Sequence, residues 1–445
     1  MKLFLPLLLS AAVFTAGAAQ TNSVVWHSSG QVDADVTRLS LWPLLEKITG
    51  QTGWRVYVEP GTDRVASTKF SGEPTDAALR KLLGDLNFAL VPQTNAPAQL
   101  FIFRTMRQNA TRLVLLAQTR HVPNELILHV KPGTDIAALA KLLGAKVTGR
   151  LDKLGLYRLQ FPDVAAAEAA LAQLQANSDV LAASYNDFLD APPPVQTMEM
   201  ANPPLAPVTL KLNPPPDSGK IIVGLIDTAV QPLDGSLNNF LLKQVSVADG
   251  TQANSAEPTH GTAMAETILR AISLAEQGSS SVQILPVDVY GSSPNATTWN
   301  VAAGIMEAVN RGANVLNLSL GGANEDAVLG SVIAAVEKDG FPIFAAAGNK
   351  PTAAPTYPAA YPGVWAVTAL EQGKIAPYAN FGNFVDLAVA DGTVAYYDHK
   401  AWFTAGTSVS TANATGMAAG AADATHQSWS MISSRLSQLF PVPAH

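Results

Sequence analysis

The chain has 445 residues, 48% apolar and 14% charged, with a formal charge of -7 at pH 7 and no cysteine. That length and apolar share suit two to four domains with real cores and exclude a disordered or fibrous protein. Acids and bases are scattered without a basic cluster, which argues against a nucleic-acid partner, and the lack of cysteine excludes disulfides and thiolate zinc sites.

The first residues, MKLFLPLLLSAAVFTAGAAQ, place Lys2 ahead of an apolar run from Leu3 to Phe14, followed by small residues at Ala16, Gly17 and Ala18. This is the pattern of a secretory signal over 1–19, too short for a membrane span, and it predicts an exported protein, periplasmic or secreted. No later segment is apolar enough to span a bilayer, so none is expected in the mature chain.

Residues 20–110 alternate short strands and helices. "LWPLLEKITGQTG" has helical spacing and stops at Gly53, and "WRVYVEP" alternates as a strand; "TDAALRKLLGDLN" predicts a helix capped by Thr75, and "FALVPQ" with "QLFIFRT" a closing strand pair. The result is a small α+β domain without catalytic chemistry. Its order and the phrase "ITGQTGWRVYVEPG" resemble the short N-terminal domain of secretins and TonB-dependent receptors, which implies a recognition module for a periplasmic partner.

Residues 120–189 read β-α-β-β-α-β, from "ELILHVKPG" through "DIAALAKLLG", "AKVTGRL", "LGLYRLQF" and "DVAAAEAALAQLQAN" to "VLAASYNDF". That is a second small α+β domain, ferredoxin-like in order. Residues 190–218 carry Pro triplets and little periodicity, which predicts an extended surface linker, outside any sheet interior and open to proteolysis.

From 219 to 445 buried strands alternate with helices, so the expected fold is α/β with a doubly wound parallel sheet. Asp227 ends the apolar run Ile221–Ile226, the place where open α/β sheets put their ligand crevice. His260 opens a helix and is followed at once by Gly261, which leaves room for another chain. Asn349 ends the strand in "GFPIFAAAGN", and Ser408 in "GTSVSTANATG" stands at the start of a small-residue helix, where unpaired N–H groups favour negative charge. Taken singly, these read as a turn or cap acid, an ordinary histidine, a turn former and a helix cap. Together, acid, imidazole, amide and hydroxyl at element ends in one block supply the parts of an acyl-transfer site.

"LIDTAV", "THGTAMA", "LNLSLGG", "AAAGN" and "GTSVSTA", with "YPAAYPGVWAVTAL", resemble the subtilisin-like serine proteases over most of residues 220–435. The resemblance implies hydrolysis of protein or peptide substrates, with Ser408 attacking, His260 its base, Asp227 orienting the imidazole and Asn349 donating to the oxyanion. It also implies substrate-binding walls formed by Ser319, Leu320, Gly321 and Gly322 on one side and by Ala346 and Gly348 on the other. Those walls carry no charge, so a neutral, apolar or aromatic side chain is expected before the cut, with Glu325 and Asp326 just beyond as the alternative in favour of basic substrates. The 120–189 unit is similar to the inhibitory propeptide that precedes such proteases. The implied precursor is cut within 186–216 and releases a block beginning around Asp217.

The pattern departs from the family at Ala229, Glu266 and Ala412, where glycine, glycine and proline are usual. No metal ligand set or cofactor is legible; the resemblance leaves structural calcium open, and EF-hand and HExxH spacings are both missing. A rival reading is a sensing or scaffold protein that docks periplasmic partners on a protease fold of little turnover. An esterase is disfavoured, because it would want G-x-S-x-G and the order Ser, acid, His.

Overall fold

The computed structural model describes residues 23–443, apart from 28–29, 60–61, 63, 94–96, 115–120, 190–197, 202, 214–218, 251–254 and 277. The expected signal segment lies outside the described residues. The chain forms two compact units divided between residues 119 and 120.

The first unit contains β1 (Ser23–Trp26), β2 (Gln31–Ser40), α1 (Leu41–Thr52), β3 (Arg55–Val58), β4 (Val65–Pro74), α2 (Thr75–Leu83), β5 (Asn87–Val91), β6 (Gln99–Phe103) and β7 (Arg112–Val114). They form two sheets, ordered β1-β2-β4 and β5-β6-β3-β7. Helix α1 buries Leu44, Leu45 and Ile48 on one face and ends where Gly53 turns left-handed at φ 70, its N–H donating to Thr49 O. Thr75 is not a cap: it is the first residue of α2, and its hydroxyl donates to Gly30 O at 3.1 Å. The unit also runs past residue 110 to β7.

The second unit opens with β8 (His121–Val130), α3 (Ile136–Leu142), β9 (Lys146–Leu151), β10 (Leu156–Gln160), α4 (Val164–Gln175) and β11 (Val180–Leu189). Its strands lie in the order β11-β8-β10-β9, each pair antiparallel. Asp135 and Asp163 cap the two helices through their side chains.

The Pro-rich stretch that follows is not a free linker. Within it β12 (Met198–Glu199) pairs with a hairpin strand at 400–404, β13 (Lys211–Leu212) pairs with a strand at 279–280, and Leu210 is buried. Ala206 O accepts from Arg270 Nη1 at 2.9 Å, and Leu205 O from the Tyr396 hydroxyl at 2.7 Å. Proline keeps this strap out of a sheet interior, but its Pro-free dipeptides add to exposed edges. A release at Asp217 would strip these contacts from the domain that they complete.

The main block comprises β14 (Ile222–Asp227), β15 (Val245–Ser246), α5 (His260–Ala275), β16 (Ser279–Ser280), β17 (Gln283–Asp288), β18 (Ala296–Thr297), α6 (Thr298–Asn310), β19 (Val315–Leu318), α7 (Ala327–Lys338), β20 (Ile343–Ala346), β21 (Val364–Glu371), β22 (Lys374–Ile375), β23 (Leu387–Ala390), β24 (Thr393–Tyr397), β25 (Lys400–Thr404), α8 (Thr407–Thr425) and α9 (Trp429–Leu439). Its sheet runs β15-β17-β14-β19-β20-β21-β22 and is parallel throughout except at β22; β23 joins β21 in parallel. Helices α5, α8 and α9 share one hydrophobic cluster with the sheet, and α6 and α7 share another. Strand order reverses beside β14, whose neighbours are β17 on one side and β19 on the other, and a crevice opens beyond the carboxyl ends of strands at such a point.

The antiparallel sheet of residues 121–189 covers α6 and α7. Ile127, Leu156 and Leu189 join the cluster that holds Ile305 and Val332. Asn186 is fully buried; its Oδ1 accepts from Trp299 N–H at 2.9 Å while its Nδ2 donates to Glu125 Oε2 at 2.7 Å. Gly149 makes room for the Trp299 indole, since a Cβ there would sit 2.3 Å from Cζ2, and Arg158 lies over the ring at 5.7 Å. Among the described residues no helix is long and apolar enough to cross a membrane.

Candidate active site

Asp227 is the last residue of β14 and His260 the first of α5. The Asp227 carboxylate reaches His260 Nδ1 with both oxygens, at 2.8 and 2.9 Å, and also accepts from Thr228 N–H at 2.7 Å. A carboxylate only accepts, so Nδ1 must carry a proton, and in the neutral ring Nε2 keeps its lone pair. Gly261 makes the approach of α5 to the strand end feasible: a Cβ there would fall 2.3 Å from Thr228 O, whereas its N–H donates to Thr228 Oγ1 at 2.8 Å.

Ser408 is the second residue of α8, and Gly406 occupies the cap position, so the serine is not the helix cap. It is 5% exposed, and its hydroxyl donates to Ser319 O at 3.3 Å. Among the described residues no hydrogen bond joins Ser408 Oγ to His260; the hydroxyl is held on Ser319 O instead. Beneath it, Ser319 Oγ donates to Ser408 O at 3.2 Å, Asn317 Nδ2 donates to Ser319 Oγ at 2.9 Å, and Thr415 Oγ1 donates to Asn317 Oδ1 at 2.9 Å. This buried network ties α8 to β19 and was not legible in the sequence.

Asn349 lies three residues past β20 rather than at its end. Its Oδ1 accepts from both Thr407 N–H and Thr407 Oγ1, each at 3.0 Å. Because a backbone N–H can only donate, the amide orientation is fixed, and Nδ2 is left as the donor. Both Asn349 and Ser408 line a cavity of about 430 Å³.

Ser319, Leu320, Gly321 and Gly322, expected as one wall, and Ala346 and Gly348, expected as the other, all line that cavity. An antiparallel bridge between Gly322 and Tyr357, 2.8 Å in each direction, joins the first wall to the segment that carries Thr356. Asn380, which sequence reasoning missed, braces the second wall: its Nδ2 donates to Ala347 O and Thr356 Oγ1, and its Oδ1 accepts from Lys350 N–H at 2.8 Å. Gly348 has φ +107 and a Cβ there would strike Asn380 Nδ2 at 2.6 Å. The charge distribution differs from expectation. Lys350 lines the cavity, while Glu325 and Asp326 do not. Asp326 is buried instead, capping α7 and accepting from Ser184 Oγ, and burial raises its pKa.

Two of the family departures are absorbed without disturbing these groups. Ala412 is fully buried inside α8. Glu266, also buried, accepts from Tyr396 N–H at 2.6 Å and lies 3.7 Å from Arg270. Among the described residues no group of three or more His, Cys, Asp or Glu side chains is placed to hold a metal ion.

Residues 218–437 match the subtilase family, and residues 108–186 match the fervidolysin N-terminal prodomain. The chain is 30% identical over 204 residues to thermitase of Thermoactinomyces vulgaris, covering 44% of this chain and 72% of that one. It is 29% identical over 184 residues to a thermostable alkaline protease of Halalkalibacterium halodurans, covering 39% of this chain and about half, 51%, of that relative. Its fold is similar to the crystal structure of fervidolysin from Fervidobacterium pennivorans, described as a keratinolytic enzyme related to subtilisin, with a TM-score of 0.53 and 17% identity over 71% of this chain and 56% of that one.

Proposed function

Because this chain belongs to the subtilase family and is a subtilisin-like serine endopeptidase with an N-terminal prodomain, we propose that Ser408 is its nucleophile, His260 the general base, Asp227 the group that orients the imidazole and Asn349 the side-chain donor to the oxyanion. The observation that carries this reading is the His260 Nδ1–H held by both oxygens of Asp227, which leaves the Nε2 lone pair to take a proton.

In this mechanism Ser408 Oγ exchanges its bond to Ser319 O for one to His260 Nε2 and attacks the carbonyl carbon of the substrate. The imidazole takes the hydroxyl proton and returns it to the leaving amine, and Asp227 stabilises the imidazolium without taking a proton. Asn349 Nδ2 and the Ser408 N–H, in the first turn of α8, stabilise the oxyanion. Water then attacks the ester carbonyl, again with His260 as base, and frees the acid product.

We further read residues 121–189 as a ferredoxin-like inhibitory domain, supported by the β11-β8-β10-β9 order and by its seat on α6 and α7. A Cβ on Gly322 would lie 3.7 Å from Leu189 Cδ2, so the end of β11 reaches the cavity wall. The precursor is processed by its own site and the strap from Met198 stays with the catalytic block. Export follows from the leader, and residues 20–110 serve as a module for a periplasmic partner.

The test is mass spectrometry of the purified chain against Ser408→Ala, with a fluorophosphonate label. Wild type is expected to process and to label at Ser408, and the variant to remain whole and unlabelled. Identical processing in both, without label on Ser408, would refute the assignment.

A further inference from the structure

Gln231 stands four residues beyond Asp227, in the segment that follows β14, and its side chain bonds to the start of α5 on both sides of His260. Its Oε1 accepts from Thr259 N–H at 2.8 Å and from the Thr262 hydroxyl at 3.0 Å. Its own N–H donates to Thr262 Oγ1 at 2.8 Å, and its Nε2 donates to Ser255 O and Glu257 O, each at 3.3 Å. The Thr259 N–H can only donate and the two carbonyls can only accept, so the partners settle the amide orientation. Thr259 caps α5 and His260 is its first residue, so these bonds act where the helix begins. Two further links join the same pair of segments: Thr259 Oγ1 donates to Ala229 O at 2.6 Å, and Gly261 N–H donates to Thr228 Oγ1 at 2.8 Å. Gln231 grips both Thr259 and Thr262 and also the approach at 255–257. The Asp227 carboxylate turns the ring of His260, but where that ring stands relative to Ser408 follows from the backbone on either side of it, and Gln231 ties that backbone to the segment after the acid.

We propose that Gln231 is a positioning residue for the reaction: it locks the turn at 259–262 onto the segment after Asp227 and so sets how the His260 imidazole meets the Ser408 hydroxyl. This rests on the protease reading above and deepens it by adding a residue that acts through His260. The contribution is to turnover, because a misplaced base costs rate while the substrate-binding walls stay as they are.

The test is Gln231→Met, which keeps the length of the side chain and removes its donors and its acceptor. Made in the full-length chain, it is expected to lower kcat on one peptide substrate by about 10-fold, and the rate of fluorophosphonate labelling at Ser408 by a similar factor, with KM within about twofold of wild type. Self-processing, being the same chemistry, should slow in step. Thr262→Val, which removes the hydroxyl on the other side of the link, should act in the same way, and Thr262→Ser, which keeps it, should hold kcat within about twofold of wild type. In the double variant Gln231→Met with Thr262→Val the losses should not multiply, since both changes break one link. All rates are taken per Ser408 that labels at completion, so unfolded chain drops out of the comparison. A rate per labelled serine unchanged in Gln231→Met, whether or not Tm falls, overturns this inference, and so does a change confined to KM; either leaves the protease reading intact. A wild-type chain that neither labels nor cuts overturns both.

Discussion

Thr407 holds the Asn349 amide by its oxygen from two sides, through its own N–H and its hydroxyl, each at 3.0 Å. The donor nitrogen is thereby aimed before any substrate arrives, and such preorganisation is where oxyanion stabilisation gains its strength. Asn349→Ala is expected to lower kcat by about 10² to 10³ with little change in KM, a magnitude borrowed from subtilisin, where one such donor has been removed. Thr407→Val keeps the backbone N–H and loses one neutral bond, so a loss of about fivefold is expected. Steady-state kinetics on one peptide substrate checks both; a change confined to KM would mean that Asn349 binds substrate rather than the developing charge.

Gly149 accommodates the Trp299 ring, and leucine at that place would force the β9 strand away from α6. Overpacking of this kind costs about 1 to 3 kcal/mol. In the full-length chain Gly149→Leu is therefore expected to weaken retention of the cleaved 121–189 unit by about 5- to 150-fold. Gel filtration of the processed protein reads this directly, and co-elution unchanged from wild type would show that the indole contact is incidental.

Burial lifts the pKa of Glu266 from 4.5 to about 7, against the opposing pull of the Tyr396 N–H and Arg270. The folded state thus holds this proton more tightly than the unfolded chain does. Stability from the protonated group is complete below about pH 4.5 and is lost as the pH rises through 7, up to about 3 kcal/mol at 1.36 kcal/mol per unit. Glu266→Gln should flatten the fall in Tm between pH 5 and pH 8. Parallel melting curves for the two proteins across that range would show that the carboxylate is not the source. Glu276, also raised to about 7 by burial, acts in the same direction and should leave a residual slope in the variant.

The strap contacts predict where the mature chain begins. β12, the Leu205 and Ala206 carbonyl bonds, buried Leu210 and β13 all belong to the catalytic block by packing. The N-terminus of the active form is expected upstream of Met198. An intact mass that places it at or beyond residue 214 in a fully active, stable enzyme would rule this out.

Asp227, His260 and Ser408 were legible because each stands where a readable pattern ends: a doubly buried strand, a helical period, a run of small residues. Asn317 and Asn380 were not, because their meaning lies in partners far along the chain, Thr415 at a separation of 98 for one and Lys350 at 30 for the other. The strap was misread for a related reason. Averaging proline over 190–218 hides that Met198–Glu199 and Lys211–Leu212 have free N–H groups and can add to an edge. In the first unit β2 does carry the period-2 pattern of a half-buried strand, with Val32, Ala34 and Val36 buried and polar residues between them, so it was legible in principle.

Trp299 is only 6% exposed while the β8–β11 sheet covers α6. Once that cover departs, the indole faces water and its fluorescence should shift to the red. The molecule therefore carries an intrinsic optical gauge of its own unmasking, readable in real time without any added dye.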